Sequence, residues 1–420
     1  MLLMFKVKNY MSFKEESTLD LRATSYVQHP SHCIGINNNI SLLKTNAIYG
    51  ANASGKSNFI AAMFFFEQYI LSQFISKNDD NDIEEFKPPT MKLEPFLLSK
   101  EKNDASEFEI IFYINNKQIQ YGFECTSDKV LNEWYFINDK KVYERNGSEV
   151  KFGTTYSKTL SVYKKIPEER LYISVLDYFL DASDKEDIIG DFIAFFSNEY
   201  HIFFELYIES SVKGVASFFS NNKKLLNDKL FRDKVAEYLR YADFGIRDID
   251  IHEEIVINKK TGKERKERNI KTVHDVFDEQ GKLAGSEYFD LSRESSGTLR
   301  FFTFIQRILT MLEQGGVFIV DELSARLHPK LTKLIVDIFQ SELNDKAQLI
   351  FTTHDISLQN NHQFRRDEIV FIDKNHLGES KLYTLSDLKV REDATFSKDY
   401  MQGKYGAIPE LNYSNLFGGV

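Results

Sequence analysis

The chain has 420 residues, enough for two or three ordinary domains or for one large α/β unit. Its 53 Lys and Arg against 63 Asp and Glu give a net charge of −10. That argues against a body uniformly coated for nucleic acid or an anionic membrane, though it leaves room for a local basic groove. With 42% hydrophobic and 28% charged residues the mix is globular, which excludes global disorder, and Cys33 and Cys125 alone cannot build a disulfide framework or a four-cysteine zinc site.

In chain order, Phe5, Val7, Tyr10, Phe13, Leu19 and Leu21 alternate with polar residues and predict two short strands within 1–22. The N-terminus is too short and too soon charged for a secretory signal, so the expected location is a reducing cytoplasm. Thr45–Tyr49 reads as a third strand ending at Gly50. Residues 58–75 are apolar on nearly every face and predict a helix buried in a larger core. Their longest apolar run, Phe59–Phe66, stops at Glu67, well short of a membrane span.

A polar stretch over 77–85 followed by Pro88-Pro89 reads as a surface loop. Phe108–Ile114, Ile119–Glu124, Glu133–Ile137 and Lys141–Glu144 read as an antiparallel meander, with turns at Asn115-Asn116 and Asn138-Asp139. From Leu171 to about Tyr241 the pattern turns helical, with Leu226, Leu230, Val235, Tyr238 and Leu239 as one stripe and no sustained heptads. Strands return at Ile246–Ile257 and Ile270–Phe277 around a basic turn, 259–268, diluted by Glu264 and Glu267. The last third alternates: helix Leu299–Leu312, strand Val317–Val320, a helical stripe from Leu331 to Leu343, and strand Gln348–Thr352. That order implies parallel strands joined by right-handed crossovers. The expected divisions are 1–170, 171–243 and 244–420.

Gly50-Ala-Asn52-Ala-Ser54-Gly55-Lys56-Ser57 fits G-x-x-x-x-G-K-[ST] in full. Its glycines let the backbone fold into a nest of N–H donors for a polyphosphate, and the helix that starts there turns its positive end toward the same anion. Lys56 can reach β- and γ-phosphates, Ser57 can hold Mg²⁺, and Asn52, Ser54 and Asn58 are the loop's remaining polar candidates. Asp321-Glu322 directly follows an apolar strand. An acid at that position can bind the Mg²⁺ shell, and its neighbour can polarise a water. Ser57 and Asp321 stand 264 positions apart (321 − 57), far more than in many phosphate-loop enzymes.

This arrangement resembles ABC-class ATPase heads of the SMC and OLD kind, in which two distant chain halves build one nucleotide-binding head. The resemblance implies an α/β phosphate-loop ATPase head assembled from N- and C-terminal halves, with an antiparallel meander and an inserted helical segment. Leu291-Ser-Arg-Glu-Ser295-Ser296-Gly297-Thr298 is similar to the ABC family motif that contacts the γ-phosphate held by the opposite subunit. It departs from the family in having Ser296-Gly297 where two glycines are usual and Thr298 where Gln or Glu is usual. Leu323–Pro329 resembles the D-loop, and Thr352-Thr353-His354-Asp355 resembles the switch-histidine segment. No glutamine stands out for the Q-loop.

Finer similarity, in Phe5–Phe13, Glu294–Thr298, Leu327–Pro329 and Tyr400–Pro409, is to abortive-infection ATPases of the AbiL and RloA type. It implies an ATP- and Mg²⁺-dependent antiphage switch with Lys56, Glu322 and His354 as catalytic residues. Gly50, Asn52, Ser54, Gly55, Lys56, Ser57, Asn58, Ser295, Ser296 and Gly297 would bind nucleotide, and Ser57 and Asp321 the metal. The partners implied are a second copy closing the ATP site and a separate effector such as a nuclease, with nucleic acid left open. Three other readings fit less well. SMC-like repair ATPases rely on coiled-coil arms longer than 171–243 allows. OLD-like nucleases carry a later Asp-x-Asp, absent after His354. Transporter ATPase subunits lack so large an insertion.

Overall fold

The computed structural model describes residues 1–37, 39–74, 92–162, 166–203, 223–242, 245–257, 264–391 and 394–409. The loop at 77–85 with Pro88-Pro89, residues 204–222 of the expected helical segment, and the tip of the basic turn at 258–263 lie outside them. Two compact units are built. The first takes Met1–Phe203, Gly315–Glu322 and Val336–Val420; the second takes Phe204–Gln314 and Leu323–Ile335. The segment 171–243 is thereby divided, with its part up to Phe203 in the first unit.

The first unit holds a six-stranded sheet in the order Tyr200–Phe203, Gly316–Val320, Ala347–Thr352, Thr45–Tyr49, Ile369–Lys374, Ser380–Thr384. The first five run parallel, and the last closes an antiparallel hairpin. Every residue of Thr45–Tyr49, Gly316–Val320 and Ala347–Thr352 is buried, as strands covered on both faces must be. The parallel pairing expected of the last third is found.

The strand Tyr200–Phe203 corrects the helical expectation there. It pairs in parallel with Val317–Val320 at the sheet edge. A four-residue run carries too little period to separate strand from helix. The helical stripe expected to reach Leu343 also ends early: the helix is Pro329–Gln340, and Leu343 lies beyond it, 91% exposed. The hairpin Ile369–Thr384 was not anticipated, because it is short and split by a turn.

The second sheet of this unit is the antiparallel meander, seven strands in the order Glu149–Phe152, Lys140–Asn146, Val130–Ile137, Lys117–Cys125, Ser106–Ile114, Leu2–Lys8, Ser17–Asp20. Asn115 and Asn116 both have positive φ (48° and 61°), as do Asn138 and Asp139 (49° and 59°). These paired left-handed conformations give the tight hairpin turn whose twist matches the strands, and Asn and Asp tolerate them best.

The helix Lys56–Leu71 lies on this meander. Phe59 meets Phe5 edge-on at 5.8 Å, and Phe66 stacks on Phe123 at 5.3 Å. Ile60, Met63 and Ile70, around the rest of the helix, are fully buried too. The helix is therefore enclosed except along one half-buried stripe, Ser57, Phe64, Gln68 and Leu71.

One polar residue breaks that enclosure. Glu67 is buried with only Gln68 as a hydrogen-bond partner, and burial pushes its carboxyl from 4.5 to about 7. A raised acid pKa stabilises the fold while the group is protonated. Its contribution is full below the unfolded value and is lost as pH rises from about 4.5 to about 7. Replacing Glu67 by Gln should therefore raise the melting temperature more at pH 8 than at pH 5.5, with a ceiling of roughly 3 kcal/mol. An equal gain at both pH values would rule out this assignment.

The second unit pairs a three-stranded antiparallel sheet, Ile246–Ile257, Glu264–Phe277 and Leu283–Asp290, with the helices Lys229–Tyr241 and Ser296–Gln314. The stripe Leu226 to Leu239 is not one helix. The chain breaks at Asp228, whose carboxylate caps a new helix by accepting from Phe231 N at 3.1 Å. The rotated face buries Phe231, Val235 and Leu239 and leaves Leu230 75% exposed. Among the described residues no helix is long and apolar enough to cross a membrane.

Candidate nucleotide site

The site begins where the strand Thr45–Tyr49 releases the chain at Gly50. A side chain at Gly50 would collide with the Ile372 carbonyl and lie 2.6 Å from Ser54 Oγ. Gly55, at φ 114°, is the residue before the helix Lys56–Leu71, and that conformation is open to glycine. The first turn of the helix therefore opens directly behind the loop, with its amide donors unspent on the helix.

Lys56 is buried, and its Nζ donates to the carbonyls of Gly50 at 2.9 Å and Ala51 at 3.0 Å. The ammonium thus curls over its own loop. Burial lowers its pKa, while Glu322 and Asp321 pull it back up. Ser54 Oγ is buried with no hydrogen-bond partner among the described residues. Asn52 sits exposed on the loop. The Asn58 amide is committed to Ser12 Oγ at 2.8 Å, so it supports the loop from behind.

The distant acids arrive at the same place. Asp321 ends the strand Gly316–Val320, and Ser57 Oγ donates to its Oδ1 at 3.3 Å across the 264 intervening positions. Thr352 Oγ1, at the end of the neighbouring strand, donates to the same oxygen at 2.7 Å and accepts the Glu322 N–H at 2.7 Å. Burial raises the Asp321 pKa, and the Thr352 and Ser57 hydroxyls resist the rise. Glu322 has φ 53°, unusual for a residue with a side chain. Its Oε1 lies 3.4 Å from His354 Nε2.

Lys56, Ser57, Asp321, Glu322 and His354 are therefore brought together. Thr352, which fixes both acids, was passed over in the sequence in favour of His354, although it stands in the same Thr-Thr-His-Asp run.

Ser295, Ser296 and Gly297 belong to the second unit. Ser295 Oγ accepts from Thr298 N at 3.0 Å and so caps the helix Ser296–Gln314, with Ser295 and Ser296 exposed. A side chain at Gly297 would stand 2.6 Å from the Arg326 carbonyl, in the D-loop-like segment.

The residues fit the ligands their types suggest. The unpartnered Ser54 hydroxyl, the two crowded glycines and the curled lysine suit a polyphosphate. Ser57 and Asp321 supply the hard oxygen donors that Mg²⁺ prefers.

The family described as "AAA domain, putative AbiEii toxin, Type IV TA system" matches residues 45–360, three-quarters of the chain. The chain belongs to this family. The match runs from the first residue of the phosphate-loop strand past His354, so this AAA ATPase domain contains all five of the convergent residues.

No curated protein matches the chain. Similar solved structures include an SMC head bound to the C-winged helix domain of ScpA, with 14% identity, TM-score 0.45, and 93% of this chain and 99% of that one covered. The SMC head domain from Thermotoga maritima is 14% identical, with TM-score 0.41 and coverage of 91% and 98%. An Smc head domain with an extended coiled coil, bound to the C-terminal domain of ScpA derived from Pyrococcus furiosus, is 13% identical, with TM-score 0.40 and coverage of 96% and 98%. For this AAA domain the fold assignment rests on its own strand order and on the loop's place in it.

Proposed function

We propose that this AAA ATPase is an ATP-gated switch of the AbiL and RloA abortive-infection type, in which two copies close over ATP and the closed state controls a separate effector such as a nuclease. The observation that carries the reading is the 3.3 Å contact of Ser57 with Asp321, with Glu322 and His354 alongside. In this reading Lys56 leaves the Gly50 and Ala51 carbonyls to meet the β- and γ-phosphates, and the loop amides hold the same oxygens. Ser57 and Asp321 hold Mg²⁺, which when bound neutralises charge on the phosphates. Glu322 takes a proton from the attacking water, and Thr352 fixes its backbone while it does so. His354 stands beside that carboxylate and orients it. Ser295, Ser296 and Gly297 of a second copy offer donors to the γ-phosphate, because they are small residues at a helix N-terminus with Ser295 and Ser296 exposed.

Substituting Ser295 by Arg tests the composite part. The variant should bind ATP with parental affinity by calorimetry, because the phosphate loop is untouched. It should hydrolyse ATP at least about 100-fold more slowly, because the donor from the second copy is lost. Parental turnover would show that one copy suffices. The effector part is tested by recovery of the neighbouring gene's product with the tagged protein, with and without ATP.

A further inference from the structure

The phosphate loop is braced from behind by side chains drawn from both ends of the chain. Ser12 lies in the tight turn between Tyr10 and Phe13, and Ser380 opens the hairpin strand Ser380–Thr384. Both are buried, and Ser380 N donates to the Ser12 carbonyl at 2.7 Å. Next to them Lys14 and Glu379 form an ion pair at 2.8 Å, which ties the turn to the hairpin a second time. Ser380 Oγ lies 2.6 Å from the Ser54 carbonyl and 2.8 Å from Ser12 Oγ, and Asn58 Nδ2 donates to Ser12 Oγ at 2.8 Å.

A hydroxyl has one hydrogen to give, and Ser380 Oγ stands as donor toward both the Ser54 carbonyl and Ser12 Oγ. The Ser54 carbonyl can only accept, so the Ser380 hydrogen goes to it. Ser12 Oγ is an acceptor: a lone pair takes the Asn58 amide, and Ser380 Oγ lies against it at 2.8 Å. Asn58, Ser12, Ser380 and the Ser54 carbonyl form one contiguous hydrogen-bonded cluster under the loop.

The bond from Ser380 to the Ser54 carbonyl has a geometric result. The peptide between Ser54 and Gly55 is planar and trans, so its C=O and N–H point in opposite directions. Pulling the Ser54 carbonyl toward Ser380 aims the Gly55 N–H the other way. The same hydroxyls press on Gly55 itself: a side chain there would collide with Ser380 Oγ and lie 2.8 Å from Ser12 Oγ. The glycine and the two serines are matched parts of one support.

We infer that Ser380, Ser12 and Asn58 are positioning residues that set the Gly55 amide donor in place before a phosphate arrives, so that ATP does not have to reorganise the loop on binding. The inference rests on the reading of the loop as an ATP site. Its test measures ATP affinity by calorimetry, together with kcat and KM, for Ser380→Ala, Ser12→Ala, the double variant and Ser380→Thr, with Lys56→Ala as the control for the site. Ser380→Ala should raise Kd and KM about tenfold, the worth of one strong hydrogen bond, and leave kcat at saturation within about twofold. The double variant should bind no more weakly than Ser380→Ala, because Ser12 reaches the Ser54 carbonyl only through Ser380. Ser380→Thr, which restores the hydroxyl, should recover most of the affinity. Parental affinity in Ser380→Ala, or a fall in kcat with KM unchanged, would overturn the inference. Should Ser380→Ala fail to fold, Ser12→Ala decides: a loss of about two- to fivefold supports the positioning role of the cluster, and none overturns it. Parental ATP binding by Lys56→Ala would instead overturn the ATP site itself, a failure distinct from that of the serines.

Discussion

Purified Glu322→Gln protein is expected to bind ATP as the parent does and to hydrolyse it about 100- to 10,000-fold more slowly, the usual worth of a positioned general base. The amide has the same shape as the carboxylate. It keeps the backbone bond from residue 322 to Thr352 Oγ1 and asks no more of the left-handed φ of 53° than Glu does. What it loses is the proton acceptor beside His354. With binding intact and turnover blocked, the closed two-copy state should accumulate. Sedimentation with ATP should then show a doubled mass for the variant and a mixture for the parent. Undiminished steady-state hydrolysis by Glu322→Gln would remove Glu322 from the chemistry.

The second large effect belongs to Lys56. Lys56→Ala should weaken ATP binding about 100-fold, the scale of losing a charge-assisted hydrogen bond to a phosphate in a partly desolvated site. The ammonium is already inside the loop, on the Gly50 and Ala51 carbonyls, so it needs only to swing from one set of oxygens to another. Its lowered pKa, caused by burial, means that a bound polyphosphate would also relieve the lysine by restoring a counter-charge. Calorimetry at fixed Mg²⁺ reads the loss directly, and an unaltered affinity would sink the assignment of the loop.

Much of this architecture was legible in the sequence where a physical requirement leaves few residue choices. The phosphate loop was legible because a backbone nest needs glycine at set places. The all-round apolar helix behind it and the wholly buried strand Gly316–Val320 announced themselves by composition. The paired Asn and Asp turns of the meander were legible for the same reason: few residues accept positive φ twice in succession. The nearness of Asp321 to Ser57 could not be read from periodicity. It was suggested by the acid's place at the end of an apolar strand in a phosphate-loop protein and by the family resemblance, and the parallel order of the six-stranded sheet explains it, since the strands ending at Tyr49, Val320 and Thr352 all deliver their carboxyl ends to one side.

What escaped was short or nonlocal. Tyr200–Phe203 is too brief for its pattern to distinguish strand from helix. Ser12 and Ser380 are ordinary serines whose role appears only when a turn from the start of the chain meets a hairpin near its end. Thr352 looked like a strand residue because it is one, and its hydroxyl acts across the sheet.

The strand order also bears on how the molecule is made. The loop-bearing strand Thr45–Tyr49 takes its neighbours from Ala347–Thr352 and Ile369–Lys374, some 300 positions downstream. A ribosome adding about 5–20 residues per second leaves that strand with bare flanks for roughly 15–60 seconds after it emerges. Through that interval a strand that ends up wholly buried waits for partners not yet translated. The nascent polypeptide is thereby set up to depend on chaperone shielding during synthesis, more than its finished stability would suggest.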